Sequence, residues 1–161
     1  MCNSKILDEP KYGISLFSHI QFSSLNDPRN SGNDWYNFGC LENIPSSVKY
    51  NFLQTDIDFI QPPGTSNMVD MRIDLWEGIA LMHYEDRFFL NPVRWDRVKR
   101  DLCDGWCYKP WISYDEECGK PFLMDGRHRI VSLLKFTNLT TGTFVIEKKY
   151  INYIYQYFKL E

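Results

Sequence analysis

The chain has 161 residues and a formal net charge of −3, which is the size of one domain, alone or with an extension. An isoelectric point near 5.6 argues against a nucleic-acid-binding surface that covers the whole protein. No apolar stretch has the length of a membrane span or the form of a signal peptide, so we expect no membrane partner.

Residues 1–67 show little periodicity. They contain a candidate strand at 13–17, a polar loop at 26–34, a candidate short helix at 45–53, and a break in the Pro- and Gly-rich stretch 62–67. Their many aromatic side chains need to be buried somewhere. We therefore predict that residues 1–67 are an N-terminal elaboration packed on a core formed by residues 68–161.

From Met68 the pattern is sharper. Apolar and polar residues alternate over residues 69–75, which predicts a half-buried strand. A polar segment at 83–87 follows. Trp95, Val98 and Leu102 then share one face of a predicted helix that stops at Gly105, with its charged residues opposite. Strands are predicted at 110–114 and 121–124, joined by a turn at 115–120.

The run from Pro121 to Phe136 carries the strongest functional signal. It predicts a strand, a tight turn at Asp125 and Gly126, and a helix whose first turn contains Arg127, His128 and Arg129. A helix N-terminus favours anions, and guanidinium groups add to this preference, so the run predicts a phosphate site. Gly126 lets the backbone take a positive φ or approach a ligand. The alternative is a common turn that is followed by a solvated surface.

In that site, Asp125 has two interpretations. It caps the helix, or it holds Mg²⁺ together with phosphate oxygens. After this helix the pattern predicts a strand at 143–147 and an amphipathic helix in which Ile151, Ile154, Tyr155 and Phe158 form an aromatic-rich stripe in the core. Strands and helices mixed in this way indicate an α+β domain, with a small mixed β-sheet and flanking helices.

The five cysteines are an odd number in a chain of ordinary size, which is not typical of a disulfide framework. The spacing of Cys103, Cys107 and Cys118 invites a zinc hypothesis, but no second pair of ligands accompanies them. We expect reduced cysteines, no bound metal at these residues and a cytoplasmic location.

Four segments together resemble the ParB/sulfiredoxin superfamily, also known as ParB-like nuclease domains. They are the strand at 69–75, the helix at about 95–104 with Gly105, the Lys109–Ile112 segment, and residues 122–130, which are similar to a hydrophobic-DGxHRL signature. The resemblance covers about residues 68–150. It implies a sulfiredoxin-like fold in which Asp125, Gly126, Arg127, His128 and Arg129 bind a nucleotide, that is, ATP or another nucleoside phosphate with Mg²⁺.

The resemblance also implies candidate chemistry. Sulfiredoxins have a catalytic cysteine where this chain has Arg127, which disfavours that activity here. Free serine kinases of the superfamily carry an acidic segment before the Pro-led helix, and His83 to Asp86 occupies that place. Glu85 and Asp86 are therefore the candidate catalytic bases for phosphotransfer or nucleotide hydrolysis, in which Glu85→Gln is expected to spare binding and remove turnover.

Two other functions stay open. One is a phage- or plasmid-encoded inhibitor that binds a host or competitor protein without catalysis; Ala80 is the single alanine, and this skew is typical of AT-rich coding sequences such as those of phages. The other is a DNA-binding protein or nuclease, which the acidic isoelectric point disfavours.

Overall fold

The structure is a computed structural model that describes residues 21–22, 56–83 and 86–159. The predicted strand at 13–17, loop at 26–34 and helix at 45–53 lie outside the described residues, as does Glu85. The strands are β1 (Gln21–Phe22), β2 (Asp58–Ile60), β3 (Met68–Asp74), β4 (Phe89–Leu90), β5 (Trp106–Tyr108), β6 (Trp111–Asp115), β7 (Lys120–Asp125) and β8 (Thr141–Glu147). The helices are α1 (Leu75–Ile79), α2 (Pro92–Cys103), α3 (Arg127–Phe136) and α4 (Ile151–Lys159), with a 3₁₀ turn at Lys148–Tyr150 before α4.

A four-stranded mixed sheet in the order β3-β8-β6-β7 forms the centre of the described fold. β3 pairs with β8 and β6 pairs with β7 in antiparallel fashion, whereas β6 and β8 are parallel. Two shorter parallel pairs, β1 with β4 and β2 with β5, accompany it. The described residues thus have the predicted α+β architecture, with small sheets and flanking helices.

The core lies between the sheet and the helices. α3 packs against α1 and α2, and its apolar stripe is buried because the residues recur with the helical period. Trp95 of α2 and Phe136 of α3 meet with ring centroids 5.5 Å apart. The fully buried side chains include Leu75, Ile112, Ile130, Leu133, Phe144 and Ile146.

Several elements confirm the sequence predictions. β3, α2, β6, β7, α3, β8 and α4 all lie where periodicity placed them, within a few residues. The turn between β6 and β7 is held by Asp115, whose Oδ1 accepts hydrogen bonds from the N–H groups of Glu117 and Cys118.

No helix of the described residues has the length and apolar character needed to cross a membrane.

Other features differ from the predictions. The short elements α1, β4 and β5 were not predicted, because runs of two to five residues show too little periodicity. The charged residues of α2 do not all face solvent, since Asp96 and Lys99 are buried. The prediction that Tyr155 belongs to the core is wrong: Ile154 is buried, but Tyr155 is 50% exposed.

Candidate functional site

The junction between β7 and α3 depends on Gly126. Its φ is +121°, and a Cβ added there would lie 2.6 Å from Cβ of Pro110. Glycine is therefore required by the backbone conformation and by packing against Pro110. Since Gly126 is also the N-cap residue, no side chain among the described residues caps α3 by a hydrogen bond.

A cleft of about 210 Å³ opens at this junction. Its polar lining comes from Arg94, Asp125, Gly126, Arg127 and His128, and its apolar lining consists of Met82, Leu123 and Met124. The lining thus brings together residues of the DGRHR run, the first turn of α2 and the segment that follows α1.

Two helix N-termini meet beside this cleft. Asn91 caps α2, because its Oδ1 accepts hydrogen bonds from the N–H groups of Val93 and Arg94 at 2.9 and 3.1 Å. The N–H group of the same Asn91 donates to Nε2 of His128 at 2.8 Å. The positive ends of both helix dipoles therefore lie near the cleft, where they favour an anion.

His128 is part of the framework of the site. It is 8% exposed, and its Nε2 accepts the hydrogen bond from Asn91. A ring nitrogen that accepts carries no proton, so this hydrogen bond fixes the neutral imidazole with its proton on Nδ1. His128 holds the start of α3 against the start of α2 and does not add a full positive charge in this state.

Arg127 connects the cleft to the backbone of Asp86. Its Nη1 donates to the backbone carbonyl of Asp86 at 3.4 Å. Buried Arg87 stabilises the backbone that follows α1, since its guanidinium donates to the carbonyl groups of Ala80 and Met82, both at 3.0 Å. Asp86, one of the two predicted bases, therefore lies next to a residue that lines the cleft.

Arg129 lies on a different side of α3. Its Nη2 forms an ion pair with Oδ2 of Asp125 at 3.1 Å, and its Nη1 donates to the carbonyl of Lys109 at 3.4 Å. The guanidinium also lies 5.8 Å from the ring centroid of Tyr108. Arg129 is not part of the cleft lining. The interpretation of Asp125 as the helix cap is wrong, because its carboxylate pairs with Arg129 one turn along the helix.

The two acidic residues of β3, Asp70 and Asp74, also have partners within the fold. Oδ1 of Asp70 pairs with Nζ of Lys109 at 2.9 Å, and Oδ1 of Asp74 accepts from the N–H group of Glu77 at the start of α1. Among the described residues, no group of three or more His, Cys, Asp or Glu side chains is arranged to hold a metal ion.

The three described cysteines form no disulfide bond with one another. Cys103 and Cys118 are exposed and Cys107 is buried. Burial raises the pKa of the Cys107 thiol to about 12. Because the thiolate is the reactive form, Cys107 is a poor nucleophile at neutral pH.

Sequence reasoning missed four lining residues: Arg94, Met82, Leu123 and Met124. The sequence analysis placed the charged residues of this helix opposite its apolar face and did not single out Arg94. A signal for it does exist, since Asn91 and Pro92 mark a helix start and Arg94 follows in the first turn. For the apolar residues the sequence gives no comparable signal.

Comparisons with protein-family models, with curated proteins and with solved structures give no match. The function must therefore be inferred from the site.

Proposed function

We propose that this protein binds the phosphate group of a nucleotide in the cleft at the start of α3. One observation carries the proposal: the N-termini of α2 and α3 converge on a cleft that Arg94 and Arg127 line. Guanidinium groups and helix N-termini both stabilise a bound phosphate, through charge and through directed N–H groups.

We further propose a ParB/sulfiredoxin-like core for residues 68–150. The order of β7, Gly126 and α3 supports this, because the signature requires a strand before the turn and a helix after it. The segment from Lys109 to Ile112 supports it too, since Pro110 packs directly against Gly126.

The proposed chemistry is phosphotransfer or nucleotide hydrolysis with ATP or another nucleoside phosphate and Mg²⁺. Arg94 and Arg127 hold the phosphate, and an acidic residue of the 83–86 segment, Glu85 or Asp86, accepts a proton from the nucleophile. The hydrogen bond from Arg127 to the Asp86 carbonyl supports the choice of Asp86, since it brings the backbone of that residue next to the cleft.

The binding proposal is tested by thermal unfolding with ATP, ADP, CTP and GTP, with and without Mg²⁺. A ligand at about a hundredfold excess over its Kd is expected to raise Tm by about 5–10 °C. Arg127→Ala should remove the shift. Arg97→Ala, which deletes an exposed arginine of α2 outside the lining, is the matched control and should retain it. If none of the four nucleotides raises Tm, nucleotide binding is contradicted.

The catalytic proposal is tested on whichever nucleotide binds. Glu85→Gln and Asp86→Asn are compared for affinity and turnover. Loss of the base should reduce turnover by about 10²- to 10⁴-fold and leave Kd nearly unchanged. Full turnover in both variants contradicts an acidic base in this segment.

A second candidate function is binding of a host or competitor protein without catalysis. Three exposed tyrosines of α4 favour it, because aromatic side chains are enriched at protein interfaces; they are Tyr153, Tyr155 and Tyr157. If this function is correct, replacing all three by serine should abolish the effect of the protein on a sensitive host, and Arg127→Ala should not. The opposite pattern supports the nucleotide site.

A further inference from the structure

The lining of the cleft is divided into a polar end and an apolar rim. Arg94, Arg127 and the start of α3 form the polar end, whereas Met82, Leu123 and Met124 form the rim. Met124 is 46% exposed. An exposed methionine beside two arginines contributes little to the core, but it offers a contact surface next to the place where a phosphate binds.

From this arrangement we infer that the ligand is a phosphate monoester with a flat ring, whose ring lies on Met82, Leu123 and Met124. The inference rests on the proposed phosphate site and specifies its ligand. Methionine suits this contact because its side chain is flexible and its thioether is polarisable, so it adapts to the edge or face of an aromatic ring.

The size of the cleft favours a single phosphate. Sites that enclose a whole ligand of drug size have volumes of about 300–1,000 Å³, whereas this cleft has about 210 Å³. The cleft therefore accommodates one phosphate group and the atoms next to it. The remainder of the ligand must extend over the rim, where Met124 is exposed.

The charge of the lining leads to the same conclusion. The lining contains two guanidinium groups, on Arg94 and Arg127, and one carboxylate, on Asp125. A phosphate monoester carries a charge of about −1.5 to −2 at neutral pH, which the two guanidinium groups can balance because the carboxylate of Asp125 is already paired with Arg129. The additional phosphates of a triphosphate would add negative charge beyond what the two guanidinium groups of the lining can balance. A monophosphate is thus the better match when no metal ion is added.

The test measures Kd by calorimetry, without metal, for inorganic phosphate, phenyl phosphate, AMP and ATP. We expect phenyl phosphate or AMP to bind about 3- to 10-fold more tightly than inorganic phosphate, a gain that a sulfur–aromatic contact can supply. Phenyl phosphate and AMP differ in the linker between phosphate and ring, so their ranking tells whether the ring is an aryl group or a nucleobase. ATP should bind more weakly than AMP.

Met124→Ala should abolish the preference for the ring and leave the affinity for inorganic phosphate unchanged, and Met124→Leu should retain part of the preference. Ile60→Ala, at another exposed apolar residue outside the cleft, is the control and should behave like the wild type. Circular dichroism confirms that each variant is folded.

The two proposals fail in different ways. If inorganic phosphate binds and Arg127→Ala weakens it, but phenyl phosphate and AMP bind no better, the inference about the ring is overturned and the phosphate site stands. Tighter binding of ATP than of AMP overturns the inference about a monophosphate. If no probe binds, the phosphate site itself is contradicted, and the inference fails with it.

Discussion

Arg127 and Arg129 are two residues apart in one basic run, yet they have different surroundings. Arg127 lines the cleft and contacts the carbonyl of Asp86. Arg129 lies on another side of the helix, where it pairs with Asp125 and contacts the carbonyl of Lys109. Because an α-helix turns by about 100° per residue, side chains two positions apart point in nearly opposite directions.

The same division occurs on α2. Arg94 is exposed and lines the cleft, whereas Asp96, two residues later, is buried and pairs with Arg100 at 3.3 Å. In each case the charged residue that does not line the cleft pairs with an oppositely charged residue four positions away. Arg129 pairs with Asp125, and Asp96 pairs with Arg100. A run of basic residues at a helix start is therefore not by itself a single binding surface.

The largest predicted effect concerns Gly126, where the chain turns into α3. Gly126→Ala should lower the free energy of unfolding by about 2–5 kcal/mol, because it combines a strained φ with a clash against Pro110. Urea unfolding measures the loss.

Gly105→Ala is the matched control for that experiment. Gly105 also has a positive φ, +89°, but a Cβ added there meets no described atom within 4 Å. Its cost should therefore be about 1–2 kcal/mol, from backbone strain alone. Equal losses of unfolding free energy in the two variants would mean that the clash with Pro110 adds nothing to the cost of Gly126→Ala.

The next effect concerns the link between the two helix N-termini. His128→Ala removes the acceptor for the N–H group of Asn91 and should cost about 1–3 kcal/mol, since a buried donor is left unsatisfied. His128→Gln retains an acceptor and should recover part of the loss. If both variants unfold like the wild type, His128 has no structural role.

A third prediction compares the contributions of Arg127 and Arg129 to phosphate binding. Arg127→Ala should weaken phosphate binding by about 10- to 100-fold, the range for a lost charge-assisted hydrogen bond. Arg129→Ala should change the same Kd by less than about threefold, because solvent screens a charge that does not contact the ligand. The sequence analysis placed Arg129, like Arg127, among the nucleotide-binding residues, and it therefore predicts a loss of binding in Arg129→Ala as well. Calorimetry on both variants distinguishes the two expectations.

The smallest effect concerns Asp96. Burial raises the pKa of its carboxyl group, and the charge of Arg100 opposes this. A carboxyl group with a raised pKa in the folded state stabilises the fold when protonated, and this contribution is lost as the pH rises through that pKa. The stability of Asp96→Asn relative to the wild type should therefore increase as the pH rises above the ordinary pKa of an aspartic acid, 3.8.

The sequence predicted elements where periodicity was strong. α2 and α3 were located because Trp95, Leu102, Ile130 and Leu133 recur with the helical period, and Gly126 was identified as the residue before a helix start. The short strands β4 and β5 could not be found in this way. Their position depends on pairing with β1 and β2, which are distant in sequence.

The candidate site was predicted only in part, for a related reason. Local sequence indicates which residues occupy the first turn of α3, but not which of them line a cleft. That depends on where α2 and the segment after α1 pack, and hence on Arg94 and Met82. The pairing of Asp125 with Arg129 illustrates the same point, since each was predicted to bind ligand and the structure brings them together.

The central claim, that a phosphate group binds at the start of α3, is tested most directly by NMR titration of the ¹⁵N-labelled protein with phenyl phosphate. Phenol, which lacks the phosphate, is the matched probe. We expect phenyl phosphate, but not phenol, to cause the largest amide shifts at residues 127–129, and Arg127→Ala to weaken the response. Shifts that are confined to other parts of the chain, or equal responses to both compounds, would contradict the account.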